Sequence, residues 1–406
     1  MTLIDPKTDD LKYEMQEEAR PTAKIKVVGV GGGGSNAVAH MMNAGLDGAE
    51  FYVLNTDVQA LRASPVPNKL PIGCKITRGR GAGADPEVGR QAALEDTERI
   101  VEILQGADIV FVTAGLGSGT GTGAAPVVAA MAKQMDALTI AVVTTPFAFE
   151  GLRRFRQAEE GLKKLAQNVD TVITIPNERL LELAPRGTSV MEAFRMGHEF
   201  LRQVVEDITE IVTTPGFINR DFSDVRSALL GMGHAVLGTA TARGEKAALE
   251  AARQAISCPL LEGDGIRGAR HLLLNFTGSS RLGLHEVGDA CRMIREATGS
   301  EDVQLSFGLV LKESLGEAVK VTVIAAGFPP REEAPEYALE AAAPASRPLW
   351  LAEAGPEEAP APEPVIEAAP AGAVEAKPPN GTPPLPESEF ADELDMPAIL
   401  RQNRPY

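Results

Sequence analysis

The sequence predicts an α/β fold: a mostly parallel sheet, a long central helix, and a smaller α/β unit after it. Three observations predict it. Five short apolar runs are separated by helical stretches, a capped amphipathic stretch begins at Ser189, and two glycine-rich loops follow directly on strand-like runs. Short, continuously apolar strands are what a parallel sheet covered on both faces requires. In such sheets ligands collect outside the carboxyl ends of the strands, which is where both glycine loops fall.

The elements can be justified in order. Ile25 to Val30 reads as a buried strand, followed by a glycine run and a helix. Residues 51–55, 108–113, 138–144 and 171–175 read as four more strands. Ser189 and Glu192 have capping-box spacing. Phe194, Leu201, Val205, Ile208 and Val212 then form a stripe at helical spacing, with Gly216 just beyond its end. Strands over 271–276, 303–310 and 319–325 and a helix over 284–297 make the second unit.

The flanks differ in composition. Residues 1–22 carry no apolar period and read as a disordered N-terminal tail. From 329 to 390 the chain is rich in Ala, Pro and Glu, with twelve glutamates against Arg331, Arg347 and Lys377. Such a segment buries too little apolar surface to offset its ordering entropy, so it is expected to be a disordered acidic linker. Apolar residues return in 391–406, at Leu394, Met396, Ile399 and Leu400.

Charge and cysteine content exclude several classes. The 406 residues carry a formal net charge of −17, the wrong sign for a nucleic-acid partner. Cys74, Cys258 and Cys291 form no close pair, and neither a disulfide framework nor a zinc site is expected. No apolar run reaches the length of about 18 that spans a bilayer, and the first residues lack a signal-peptide core. A cytoplasmic protein without membrane insertion is expected.

The first glycine loop is Gly29-Val30-Gly31-Gly32-Gly33-Gly34-Ser35-Asn36. Glycines let backbone approach a phosphate, and the following helix turns free N–H groups and its positive dipole end toward the anion. Alone, this G-x-G-x-x-G pattern also fits a dinucleotide site, with Glu50 or Asp57 as the acidic partner about 20 residues on. The second loop, Gly115-Leu116-Gly117-Ser118-Gly119-Thr120-Gly121-Thr122-Gly123, argues for a di- or triphosphate held at two strand ends. It contains no G-K-[ST], so it is not a Walker P-loop.

This second loop resembles the signature of the tubulin/FtsZ family. Further motifs resemble that family in order: Ile76-Thr77-Arg78-Gly79-Arg80-Gly81-Ala82-Gly83-Ala84-Asp85-Pro86-Glu87-Val88-Gly89-Arg90 as a third nucleotide loop, Pro146-Phe147-Ala148-Phe149-Glu150-Gly151 as a ribose loop, and Gly216-Phe217-Ile218-Asn219-Arg220-Asp221-Phe222-Ser223-Asp224-Val225 as the synergy loop that carries the catalytic residues. The match runs from about residue 24 to 328. The resemblance implies a GTP-binding domain over 23–188, a central helix over 189–216 and a GTPase-activating, polymerising domain over 217–328.

The resemblance also implies roles. Gly32, Gly33, Gly34, Ser35 and Asn36 would contact the nucleotide, and Gly119, Thr120 and Gly121 its phosphates. Ala82, Gly83 and Ala84 would lie near the terminal phosphate, and Glu150 and Arg154 on the ribose side. Phe194 would stack on the base with His198 beside it. Asn219, Asp221 and Asp224 would reach the nucleotide of the next subunit in a head-to-tail homopolymer. There the carboxylates orient the attacking water while Mg2+ and loop amides stabilise charge. No protein side chain is assigned to the metal. The implied activity is assembly-activated hydrolysis of GTP to GDP in a cytokinetic ring at the mid-cell division site. The peptide 394–401 would bind membrane anchors and division regulators from a linker with a reach of roughly 45 Å.

Two departures stand out. Ser118 replaces a glycine and is expected to restrict its turn. His198 stands where the family carries Asp or Asn; a neutral imidazole offers one acceptor, whereas a carboxylate can receive both N–H groups of guanine. Besides the polymerising GTPase, a nucleotide-binding scaffold with weakened turnover and an NAD-dependent oxidoreductase remain as alternatives.

Overall fold

The computed structural model describes residues 23–185, 187–214, 222–258, 261, 265–300 and 302–329. The elements run β1 (Ile25–Val30), α1 (Gly31–Asn43), β2 (Ala49–Asn55), α2 (Val58–Ala63), β3 (Asn68–Pro71), α3 (Cys74–Thr77), α4 (Pro86–Glu95), α5 (Thr97–Leu104), β4 (Ile109–Gly115), α6 (Gly119–Gln134), β5 (Leu138–Thr145), α7 (Leu152–Ala166), β6 (Thr171–Pro176), α8 (Asn177–Leu183) and α9 (Val190–Thr213). They continue with α10 (Phe222–Leu229), β7 (Gly233–Arg243), α11 (Ala247–Ile256), β8 (His271–Gly278), α12 (Leu284–Thr298), β9 (Gln304–Leu311) and β10 (Ala318–Ala326).

All ten strands join one sheet in the order β3-β2-β1-β4-β5-β6-β7-β10-β8-β9. The strands from β3 to β6 are mutually parallel. The second unit extends the same sheet: Gly233, His234 and Ala235 of β7 pair in parallel with Thr171, Val172 and Ile173 of β6. Beyond that the sheet is mixed, with β10 antiparallel to β7 and β8, and β9 parallel to β8. The five expected strands of the first unit are present, and β3 and β7 add to the expected set. The Asn-Lys-Leu-Pro run of β3 is too short and polar to announce itself, and small residues dilute the apolar pattern of β7.

Alternate residues of the central strands feed two cores. Ile25, Val27, Ile109 and Phe111 face the layer containing α1 and α9. Val28, Val30, Val110 and Val112 face the layer of α4, α5, α6 and α7. Both faces being covered is why these strands read as unbroken apolar runs. A third core beneath the second unit gathers α11 and α12 on Leu272, Leu274, Phe276, Val321 and Val323.

The central helix α9 starts where the sequence places it. Ser189 Oγ accepts from Glu192 N at 3.2 Å, and Glu192 Oε2 accepts from Ser189 N at 2.8 Å, a reciprocal capping box worth about 1 kcal/mol. Its buried stripe is Leu201, Val204, Val205, Ile208 and Ile211, so the seam differs slightly from the expected one: Val212 only packs against the core edge and Phe194 is exposed. With 24 residues, α9 is about 36 Å long at 1.5 Å per residue. It crosses the sheet from the carboxyl ends of β5 and β6, where Phe194 touches Phe147, to the amino end of β2, where Thr209 and Thr213 approach Gly48.

Candidate active site

The two glycine loops lie side by side because β1 and β4 are neighbours. The chain leaves β1 into α1 on one face and β4 into α6 on the other, which opens a crevice at this switch point. The loops themselves are shorter than expected. Helix α1 already begins at Gly31 and α6 at Gly119, so Gly32, Gly33, Gly34, Ser35 and Asn36, like Gly119, Thr120 and Gly121, form first helical turns. Glycine is a poor helix former, and close approach explains its use here. A Cβ on Gly31 would sit 2.7 Å from Gly121 N, one on Gly33 3.2 Å from Gly115 Cα, and one on Gly121 2.8 Å from Gly115 O.

The third loop closes the cradle. Ala82 is buried, and its Cβ would lie 2.9 Å from a Cβ built on Gly119. Gly83 and Ala84 both take left-handed φ, 60° and 63°. Asp85 then caps α4 by accepting from Glu87 N at 2.9 Å. The turn is cross-braced by Thr56 Oγ1 to Thr120 Oγ1 at 2.6 Å and by Gly117 N donating to Thr122 Oγ1 at 2.8 Å. Thr56 was not legible as a site residue, since a lone threonine carries no motif; Thr122 was legible only as part of the second glycine loop. Ser118 does not restrict the turn: it has extended φ −100° and ψ 168°, while Gly117 takes the positive φ of 87°.

The electrostatics of this cradle suit an anion. Neither α1 nor α6 has a side-chain cap or an acidic residue in its first turn, in contrast to α4 and α9, which have both. Two sets of unsatisfied N–H groups and two positive dipole ends therefore converge. Gly32 faces open space, and buried Ser35 Oγ has no hydrogen-bond partner among the described residues. The acidic groups nearby are committed: Asp57 caps α2 through Gln59 N and Ala60 N, and Glu50 accepts from the Tyr52 hydroxyl at the far end of β2. Glu50 lies at the amino end of β2, away from the glycine turns, and Asp57 at the carboxyl end is engaged through Oδ1 as the cap of α2.

The flanks of the cradle hold the other expected residues. Glu150 Oε1 accepts from Phe147 N at 2.9 Å, and Glu150 Oε2 pairs with Arg154 Nη1 at 2.7 Å. Glu150 is thus a buried brace, and Arg154 backbone abuts Gly117. Phe194 meets Phe147 edge-on at 5.3 Å between centroids, and Phe147 stacks on Phe149 at 4.9 Å. His198 lies one turn along α9 from Phe194, with its ring centroid 6.5 Å from that of His40 on α1. Burial, reinforced by His40, pushes the His198 imidazole down to about 4, so it is neutral at physiological pH. His40 Nε2 is 2.8 Å from Glu199 Oε2, which also receives Arg202.

Of the expected catalytic residues only Asp224 is among those described. Asn219 and Asp221 fall outside the described residues. Asp224 lies in the first turn of α10. That helix is tied to the amino ends of the strands: Thr171 Oγ1 donates to Leu229 O at 2.5 Å, and Arg226 pairs with Asp136 just before β5. The cradle sits at the carboxyl ends, so the two stand at opposite ends of the strands within one chain. Among the described residues no group of three or more His, Cys, Asp or Glu could hold a metal, and no helix is long and apolar enough to cross a membrane.

Comparison with known proteins agrees with this geometry. Residues 24–185 match the Tubulin/FtsZ family, GTPase domain, and residues 233–329 the FtsZ family, C-terminal domain. An empty FtsZ dimer from M. jannaschii is similar at 39% identity and a TM-score of 0.70, covering 76% of this chain and 89% of that one. A point mutant of the M. jannaschii FtsZ is similar at 40% identity and a TM-score of 0.70, covering 76% and 92%. A GTPγS-bound protofilament of CetZ2 from Haloferax volcanii is similar at 25% identity and a TM-score of 0.66, covering 76% and 94%.

Proposed function

Because the chain belongs to the tubulin/FtsZ family, we propose that it is a GTPase that assembles head-to-tail into filaments of a cytokinetic ring and completes its active site between subunits. The observation that carries this reading is the separation of the two half-sites. The two glycine turns lie at the carboxyl ends of β1 and β4, whereas α10, with Asp224 in its first turn, is tied to the amino ends of β5 and β6 through Arg226–Asp136 and Thr171–Leu229. In a head-to-tail stack the amino-end face of one subunit meets the carboxyl-end face of the next, and that contact would bring the loop 217–224 onto a neighbour's nucleotide.

The surface around the cradle supports such stacking. Phe149, Leu152, Leu181, Leu183, Val190 and Met191 are all exposed, and all lie in segments that follow the carboxyl ends of β5 and β6. Exposed apolar residues grouped on one face mark an interaction surface. The similar M. jannaschii FtsZ is a dimer and the CetZ2 neighbour a protofilament.

In this mechanism the amides at the starts of α1 and α6 and the loop 82–84 hold the phosphates. Phe194, with Asn36 and His198 beside it, receives the base, while Glu150 and Arg154 brace the ribose side. Asn219, Asp221 and Asp224 of the next subunit orient the attacking water. Mg2+, when bound, would ride on the phosphates and neutralise charge there. Each chain carries both half-sites but at opposite ends, so a complete site forms only between two subunits and hydrolysis follows assembly. The chain divides accordingly into a GTP-binding domain (23–188), a central helix (189–216), an activating domain (217–328), a linker (329–390) and a partner-binding peptide (391–406). We place the protein in the cytoplasm at the division site of a bacterial cell, tethered by Leu394 to Arg401 to membrane anchors and regulators.

The test is GTP hydrolysis with Mg2+ against protein concentration. A threshold followed by a steep rise is expected. A rate strictly proportional to concentration would place the whole site in one chain and refute the shared site. Bound nucleotide without turnover at any concentration would make the chain a scaffold. Deleting 392–406 should leave hydrolysis intact and abolish anchor binding; loss of hydrolysis would contradict that division of labour.

A further inference from the structure

Helix α6 carries the phosphate-facing residues Gly119, Thr120 and Gly121 at its amino end. Two residues past its carboxyl end, Asp136 Oδ1 lies 2.5 Å from Arg226 Nη2 of α10. These partners are 90 residues apart in sequence. Sixteen residues, or about 24 Å, are all that separate a subunit's own cradle from the anchor point of the helix that carries its Asp224.

Local structure alone does not favour an aspartate at this position. Asp136 N donates to Lys133 O at 3.1 Å and Ala137 N to Ala132 O at 3.3 Å, the paired bonds of a helix end that usually carries glycine. Asp136 adopts φ 61° there, a left-handed conformation that disfavours side chains. Its carboxylate, however, is the group that reaches Arg226. Arg226 itself lies two positions from Asp224, about 200° round the helix, so fixing Arg226 fixes the direction in which Asp224 faces. Val225, Ala228 and Leu229 bury the inner face of α10, and Arg226 adds a polar fixed point on its flank.

We propose that the Arg226–Asp136 ion pair is a positioning clamp that aims Asp224, in the first turn of α10, from the end of α6. It rests on the reading in which Asp224 acts on a neighbour's nucleotide. Neither residue touches the nucleotide; both act through Asp224. Because α6 joins the clamp to the cradle, the orientation of one subunit's Asp224 is referred to the same rigid helix that holds its own phosphates.

The test uses the full chain and three readouts: GTP affinity of the unassembled protein, critical concentration for assembly, and turnover per assembled subunit. Arg226→Ala and Asp136→Gly are each expected to lower turnover by up to about fivefold, the upper range of an ion pair whose carboxylate is exposed. GTP affinity and critical concentration should stay within about twofold. Asp136→Gly is the sharper variant, because glycine suits the left-handed position: it should melt no lower than the parent protein and still turn over more slowly. The charge exchange D136R/R226D should recover turnover to within about twofold. Unchanged turnover in Asp136→Gly, while Asp221→Ala abolishes hydrolysis, would overturn the clamp and leave the shared site standing. Intact hydrolysis in Asp221→Ala would overturn both. A parallel fall in melting temperature, affinity and turnover would assign the pair a structural role and overturn the clamp.

Discussion

Replacing Lys320 by methionine should destabilise the fold strongly, and more so at high pH. Asp207 lies in the middle of α9 with 0% of its surface exposed. Lys320 Nζ of β10 is 2.5 Å from its Oδ1, and Thr322 Oγ1 donates to its Oδ2 at 3.2 Å. Lys320 meets Oδ1 as an ion pair rather than as an aligned hydrogen bond, so its compensation is mainly electrostatic. Methionine keeps much of the stem and removes the charge. A buried carboxylate left without its cation costs about 3–5 kcal/mol, a large share of the roughly 5–15 kcal/mol that holds a domain folded. Glu206 and Glu210 on the same helix add repulsion, partly offset by Lys312 at 3.6 Å from Glu210. Burial already pushes the Asp207 carboxyl above its ordinary range, against the pull of Lys320. An acid whose folded pKa is raised contributes stability below its unfolded value of about 3.9 and loses it as pH rises through the folded value. Removing Lys320 raises the folded value further, so the variant's deficit should grow as pH rises and shrink as it falls. Urea unfolding of the nucleotide-free chain, followed by circular dichroism as pH is varied, measures it. A loss below about 1 kcal/mol at high pH, or a deficit that does not vary with pH, would refute the reasoning. Asp207→Asn added to Lys320→Met should restore most of the loss.

Four further outcomes are expected. Gly121→Val places a side chain 2.8 Å from Gly115 O and 2.9 Å from Ser118 Oγ; it should weaken GTP binding by more than about tenfold, and unchanged affinity in a direct titration would detach this turn from the phosphates. Met191→Glu, at a residue 75% exposed on the apolar rim, should raise the critical concentration by about tenfold or more without altering GTP affinity of the unassembled chain; sedimentation that is unchanged would remove this rim from the interface. His198, held at about 4, is protonated first in the unfolded chain. Stability is therefore lost as pH falls from about 6.5 toward 4, and His198→Asn should flatten that part of the curve. His198→Asp should sharpen GTP over ATP selectivity, an effect that an unchanged ratio of the two affinities would disprove.

The strands of the first unit and the start of α9 were legible in the sequence because local signals decide them. Unbroken apolar runs such as Ile25 to Val30 have one use in a covered sheet, and the Ser189–Glu192 box is a contact between residues three apart. The glycine loops were legible as places of close backbone approach for the same reason, since the need for a bare backbone is written in the residue type. Their extent was not. Gly32 to Asn36 and Gly119 to Gly121 became helix rather than loop because tertiary contacts across the β1–β4 crevice, not propensity, set where α1 and α6 begin. Glu150 shows the same limit: its acidity is in the sequence, but its burial against Arg154 and Phe147 is not.

The sequence by itself determined the period of each strand, the caps and the chemistry available to the site. The tertiary structure decided what lies beside what. That the second unit continues the sheet of the first depends on Gly233 meeting Thr171, more than 60 residues away. That Asp224 stands at the opposite end of the strands from the cradle depends on Arg226 reaching Asp136 and Leu229 reaching Thr171. Pairings of this kind join side chains separated by most of a domain, and no local periodicity records them. They follow from how apolar faces, buried charges and strand edges are satisfied together, which only the folded chain expresses.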